Sequence, residues 1–143
     1  MILYCDTSAL VKCYCREAGS AAVLELRRQA EATAISVVGY AEVHSTINRK
    51  RRDGGISARN AERILREFDA DWADLVRVEI TPDLNRMAAR LLRTHPLRAF
   101  DALHLASALL LRTRLRQTDV SFSGFDDKQR LAAVRERLPV VPG

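Results

Sequence analysis

The chain begins with a run of apolar or weakly polar residues, Ile2 to Cys5, whose β-favouring character predicts a short buried strand. A helix is expected from Ser8 to about Glu17. After the break at Gly19 a second should run from Ser20 to about Glu31. "ATAIS" at 32–36 predicts another short strand. Helix signals then extend from Val37 to Arg52, with Tyr40, His44 and Ile47 along one stripe, and stop at "DGG". Ser57 is an N-cap for a helix in which Ala61, Ile64, Leu65, Phe68 and Trp72 recur at helical spacing.

Beyond this, "VRVEI" at 76–80 alternates as a strand does, and Thr81 and Pro82 supply the cap and first residue of the next helix. That helix carries Leu84, Met87, Ala88, Leu91 and Leu92 on one face. His95, before Pro96, reads as a loop residue. "AFDALHLASALLLR" is apolar nearly all round and predicts a buried helix. "VSFSGF" at 120–125 reads as a strand, residues 127–138 as a last amphipathic helix, and "VVP" at 140–142 as a last edge strand. No repeat, linker or low-complexity segment intervenes, so one domain over residues 1–143 is expected. Short strands alternating with helices predict the α/β class, with a parallel sheet covered on both faces.

Composition narrows the setting. With 48% apolar and 29% charged residues the chain has the balance of an ordinary folded protein rather than a disordered one. No apolar run approaches the length of a membrane span, and no basic region precedes the first apolar run as in a secretory signal. Cys5, Cys13 and Cys15 lack the partners a zinc site needs, and they read as reduced thiols of a cytoplasmic protein. The formal charge of +5 comes from 23 Lys and Arg against 18 Asp and Glu, with dense runs in "NRKRR" at 48–52 and "LRTRLR" at 111–116. Such a surplus suits either a polyanionic partner or a solvated basic helix face.

The acidic residues carry more information. Ligands of open parallel sheets gather at the carboxyl ends of the strands. Asp6 directly follows the first strand, Glu42 lies early in the helix after "ATAIS", Asp101 opens the apolar helix, and Asp126 directly follows "VSFSGF". All four fall at that end, whereas Asp119 precedes its strand and belongs at the opposite edge. Asp6 and Asp126 each have a plainer use as an N-cap, and Glu42 as a surface residue. Asp101 has none, because its helix is so apolar. Four carboxylates drawn together repel unless a cation lies between them, and such oxygens suit Mg²⁺ or Mn²⁺.

Taken together, "YCDTSAL", "YAEV", "AFDALHLASAL" and "FSGFD" resemble the PIN-domain family, and most closely its VapC-type toxins of bacterial toxin–antitoxin pairs. The resemblance spans essentially the whole chain. It implies a three-layer α/β/α fold around a four- or five-stranded parallel sheet and a metal-dependent ribonuclease activity. The family's acidic quartet falls on Asp6, Glu42, Asp101 and Asp126, with Asp6 and Asp101 as principal metal ligands. Its small hydroxyl residue falls on Thr7 or Ser8. There is one departure: where the family carries Thr or Ser two positions before the fourth acid, this chain has Gly124 beside Ser123, and Asp127 stands as a substitute for Asp126.

Mg²⁺ is the implied cofactor, with Mn²⁺ as the alternative. The reaction implied is in-line hydrolysis of RNA by a metal-activated water, leaving a 3′-hydroxyl and a 5′-phosphate. Arg98 could touch substrate phosphate or pair with a site carboxylate, and the basic runs could hold RNA. His104, three residues after Asp101, reads as a structural residue hydrogen-bonded beside the site. The implied partners are RNA, a cognate VapB-like antitoxin and a second copy in a homodimer or larger toxin–antitoxin assembly. The stripe from Ala61 to Trp72 reads as core first and as a partner surface second. Two other readings compete: a catalytically silent PIN-like module that only binds RNA or protein, and a dehalogenase-like phosphatase. The phosphatase would want a second aspartate where Ser8 stands.

Overall fold

The structure, a computed structural model, describes residues 1–143. Its strands are β1 (Ile2–Cys5), β2 (Ala32–Ser36), β3 (Val76–Val78) and β4 (Val120–Ser123). Its helices are α1 (Thr7–Val11), α2 (Ser20–Gln29), α3 (Gly39–Arg52), α4 (Ala58–Asp71), α5 (Pro82–Thr94), α6 (Ala99–Arg114) and α7 (Asp127–Arg135). The strands form one parallel sheet in the order β3-β2-β1-β4. The chain therefore builds outward from β1 through β2 to β3, then crosses to the other side of β1 to lay down β4. That reversal makes a switch point between the carboxyl ends of β1 and β4, where such sheets open a crevice.

Successive residues of β1 divide the core. Ile2 and Tyr4 face the layer of α5, α6 and α7, while Leu3 and Cys5 face α1, α3 and α4. Every residue of β1 and of β4 is buried, as expected of strands covered on both faces. Helix α6 is the axis of the first layer. Ala102, Leu105, Ala106, Ala108 and Leu109 are buried there, and its small residues let it lie against both α5 and the sheet. On the other face Phe68 of α4 is fully buried, and its ring meets those of Tyr14, Tyr40, His44 and Trp72.

The caps at Ser57 and Thr81 form as their residue types require, their hydroxyls accepting the N–H groups of Asn60 and Leu84. Four expectations change. The first helix ends at Val11 rather than near Glu17: the N–H groups of Lys12, Cys13 and Tyr14 donate to carbonyls three residues back in tighter turns, and the Tyr14 hydroxyl there donates to Asp71 at 2.7 Å. The last helix ends at Arg135 rather than 138. "VVP" makes only one bridge, Phe122 to Val140, since Pro139 and Pro142 have no N–H to extend a ladder. His95 is buried beneath α7, its Nε2 lying 3.1 Å from the Glu136 carboxylate, and is no open loop residue. The stripe Ala61, Ile64, Leu65, Phe68 and Trp72 is core or packed against it. No helix is long and apolar enough to cross a membrane.

Because Phe68 fills the centre of that aromatic group, Phe68→Ala should cost about 3–5 kcal/mol. Urea unfolding should report it as a lower midpoint with an unchanged slope.

Candidate active site

Three strand ends and the start of one helix meet at the switch point. A cleft of about 620 Å³ opens there, lined by Asp6, Glu42, Asp101 and Asp126 together with Thr7, Ser8, Arg98 and His104. Each acid arrives by a different local route. Asp6 ends β1 and caps α1; its main-chain N–H donates to the Ser123 carbonyl, which locks the ends of β1 and β4 side by side. Glu42 sits in the first turn of α3 beyond β2, Asp101 in the first turn of α6, and Asp126 caps α7 beyond β4. All are near helix N-termini, where the backbone favours negative charge.

Hydrogen bonding divides the oxygens in a consistent way. Asp6 Oδ1 accepts from Ser8 Oγ at 2.7 Å and from the Ala9 N–H at 2.9 Å. Asp126 Oδ1 accepts the Gln129 N–H at 2.9 Å. Glu42 Oε1 accepts from Thr7 Oγ1 at 2.9 Å and lies 2.6 Å from His104 Nε2. In each of these three carboxylates one oxygen is held by the protein and the other is left for the cleft. Ser8 also accepts the Phe125 N–H at 3.1 Å, so one hydroxyl joins the β1–α1 corner to the β4–α7 corner.

The electrostatics are unfavourable in the way the carboxylates predict. Burial pushes the Asp6 carboxyl above its usual range and the Asp101 charge adds to this, against the hydrogen bonds from Ser8 and the Ala9 N–H. Asp101 is raised by burial and then by the charge of Asp126. Burial acts on Glu42 too, but the His104 and Thr7 contacts outweigh it and hold that carboxyl low. The result is a site with more negative charge than its own hydrogen bonds can settle.

No three of the His, Cys, Asp and Glu side chains come close enough to enclose a cation by themselves. The donor set is open, and this suits Mg²⁺, which keeps several waters and takes only one or two carboxylates from a protein. Space beside the free Asp6 oxygen is supplied by Gly124. A Cβ at that position would stand 3.0 Å from Asp6 Oδ2 and 2.9 Å from the Phe122 ring. The departure at Gly124 thus removes a side chain that would crowd this oxygen. Asp127 lines a neighbouring hollow with Lys128 and Pro96, not the main cleft.

Around the acids runs a basic rim, in which the sequence anticipates Arg98 and the 48–52 run but not Lys12. Lys12, Arg49 and Lys50 line the cleft with Arg98, and Glu17 bridges Lys12 and Lys50 at 3.1 and 3.2 Å. Lys12 and Glu17 were hidden inside the over-long first helix. Of the two basic runs, only 48–52 reaches the site. Arg112 lies about 16 Å along α6 from Asp101, at 1.5 Å per residue, and donates to the Glu136 and Arg137 carbonyls.

Comparison with known proteins identifies the family and the fold. The PIN domain matches residues 3–134. "Ribonuclease VapC45" of Mycobacterium tuberculosis (strain CDC 1551 / Oshkosh) is 33% identical over 108 residues, covering 76% of this chain and 75% of that protein. In fold, the crystal structure of VapC20 from Mycobacterium tuberculosis, a sarcin–ricin-loop-cleaving toxin, superposes with a TM-score of 0.63 at 17% identity, over 91% of this chain and 94% of that one. A chain of a toxin–antitoxin complex from Klebsiella pneumoniae gives 0.65 at 17% identity, over 90% and 89%. Sequence, sheet order and acidic cleft converge, and the chain belongs to the PIN domain family, among its VapC-type ribonucleases.

Proposed function

We propose that this chain, as one domain over residues 1–143, is a divalent-metal-dependent endoribonuclease toxin acting in the cytoplasm and silenced by a VapB-like antitoxin. The observation that supports it most is the joining of four acids, from four separate segments, in one cleft under a lysine and arginine rim. Asp6 Oδ2, Asp126 Oδ2, Glu42 Oε2 and the Asp101 carboxylate are the candidate oxygens, of which one or two would touch the ion and the others would reach it through its waters. A bound Mg²⁺ or Mn²⁺ would supply charge stabilisation at the scissile phosphate and a more acidic water. Arg49, Lys50 and Arg98 would grip phosphates on either side, with arginine able to make bidentate contacts. Ser8 and Thr7 keep the carboxylates of Asp6 and Glu42 from rotating. One of these carboxylates would take up the proton that the attacking water gives off.

An antitoxin partner is supported by the toxin–antitoxin complex among the fold relatives. A homodimer follows from the family resemblance, and light scattering of the purified chain tests it.

The purified chain should cleave RNA with Mg²⁺ or Mn²⁺ and stop on addition of EDTA; a chain that binds RNA but cleaves it under no metal condition is a silent module. Asp6→Asn should abolish cleavage while keeping the α1 cap. Because burial raises the Asp6 pKa in the folded state, its charge destabilises the fold above that pKa, and the penalty disappears as pH falls below the unfolded value. The thermal stability of the wild-type protein in EDTA, measured against that of Asp6→Asn at each pH, should therefore rise as pH drops from neutral into that window. Asp6→Asn should melt higher at neutral pH and show a flatter profile.

Asp126→Asn should lose far more activity than Asp127→Asn under saturating Mg²⁺, and the reverse would move the fourth ligand by one residue. Arg49→Ala should weaken RNA binding and reduce the log–log salt slope by about 0.7, the value for one single-strand phosphate contact. Arg114→Ala, at the far end of α6, should change neither.

A further inference from the structure

A buried hydrogen-bond chain runs from the sheet to the cleft, and the proposed reaction does not use it. Tyr4 on β1 is fully buried, and its ring is stacked on Phe122 with centroids 5.9 Å apart and planes 11° from parallel. Its hydroxyl accepts the main-chain N–H of Ser36 at 3.0 Å and lies 2.8 Å from His104 Nδ1. His104 is 2% exposed. Its other nitrogen, Nε2, lies 2.6 Å from Glu42 Oε1, the oxygen that Thr7 also bonds.

The hydrogens can be counted along this chain. A tyrosine hydroxyl has one hydrogen. The ionised Glu42 carboxylate can only accept, so a neutral ring carries its hydrogen on Nε2, aimed at Glu42. Nδ1 is then bare, and the Tyr4 hydroxyl, which accepts the Ser36 N–H, donates its own hydrogen there and holds this tautomer in place. Thr7 and His104 together satisfy Oε1 and leave Oε2 as the glutamate's only unbonded oxygen. Glutamate has three rotatable bonds to fix, and a rigid donor anchored in the core removes that freedom before any ligand arrives.

We propose that His104 is a positioning residue for Glu42, and that Tyr4 fixes its ring tautomer so that one chosen glutamate oxygen faces the cleft. His104 touches no reacting atom in this scheme. The inference rests on the reading of the cleft as a metal-dependent ribonuclease site. Outer partners of metal-binding side chains affect metal affinity or activity by about 10–100-fold when removed.

Two measurements test it separately. In the metal-free protein, ¹⁵N NMR of the His104 ring should find a hydrogen on Nε2; a bare Nε2 overturns the proposal whether or not the protein cleaves RNA. Tyr4→Phe, checked for folding by its melting curve, should let hydrogen appear on Nδ1 in part of the population. For function, His104→Leu should lower kcat by about 10–100-fold, raise the Mn²⁺ needed for half-maximal activity and leave KM for RNA near wild type. His104→Gln, whose side-chain NH₂ can donate to Glu42 from a similar place, should recover most of that loss at the same melting temperature as His104→Leu. Equal loss in both variants, or none in either, overturns the positioning role. A wild-type protein that cleaves nothing with any metal would instead remove the ribonuclease reading and leave the NMR result standing on its own.

Discussion

The central place of β1 governs the molecule. It is hydrogen-bonded on both edges, to β2 and β4, and covered on both faces, so none of Ile2 to Cys5 can present a polar group to water. A charged side chain is admitted only where the strand stops, and there the Asp6 N–H is tied to the Ser123 carbonyl. The strand thereby holds a carboxylate at a fixed depth, 5% exposed, at the one point where the chain's path reverses across the sheet. Every other element of the site is located relative to that end: β2 delivers α3 and Glu42 on one side, and β4 delivers Asp126 on the other.

The same construction explains why the cleft is costly. Asp6 and Asp101 sit in surroundings that disfavour their charge, and the protein compensates only one oxygen of each bonded carboxylate. Sites held in tension of this kind are where a fold departs from its stability optimum for the sake of chemistry. Glu42 is the exception, its carboxyl eased by His104 and Thr7, and so it is the acid most strongly oriented before any ligand binds. Strain and orientation are thus divided among the four rather than shared equally.

Much of this was legible in the residues, because the signals were local. Ser57, Thr81 and Pro82 announce helix starts whatever surrounds them, and the alternation of short strands with helices gave the parallel sheet. The acids were legible by position, since each follows a strand or opens a helix. What escaped were features made by distant contacts. Lys12 to Tyr14 leave the helix as tighter turns, where the Tyr14 side chain meets Asp71 and the Phe68 ring, far along the chain. His95 is buried by Glu136, which no local pattern links to it. Gly124 read as a defect in a motif, and its meaning lies in a gap beside Asp6 Oδ2 that exists only after β1 and β4 are paired.

The rim carboxylate Glu17 has a consequence for what the cleft will admit. Lys12 and Lys50 are not idle cations awaiting a phosphate, for both are already engaged by Glu17. A small anion arriving alone would have to break that arrangement for the sake of one charge. A polynucleotide can offer successive phosphates to Lys12, Lys50, Arg49 and Arg98 within one encounter, so each later contact forms at high local concentration. Under the reading proposed above, Glu17 would compete with incoming phosphates for these two lysines, so that binding would reward ligands bearing several phosphates over those bearing one.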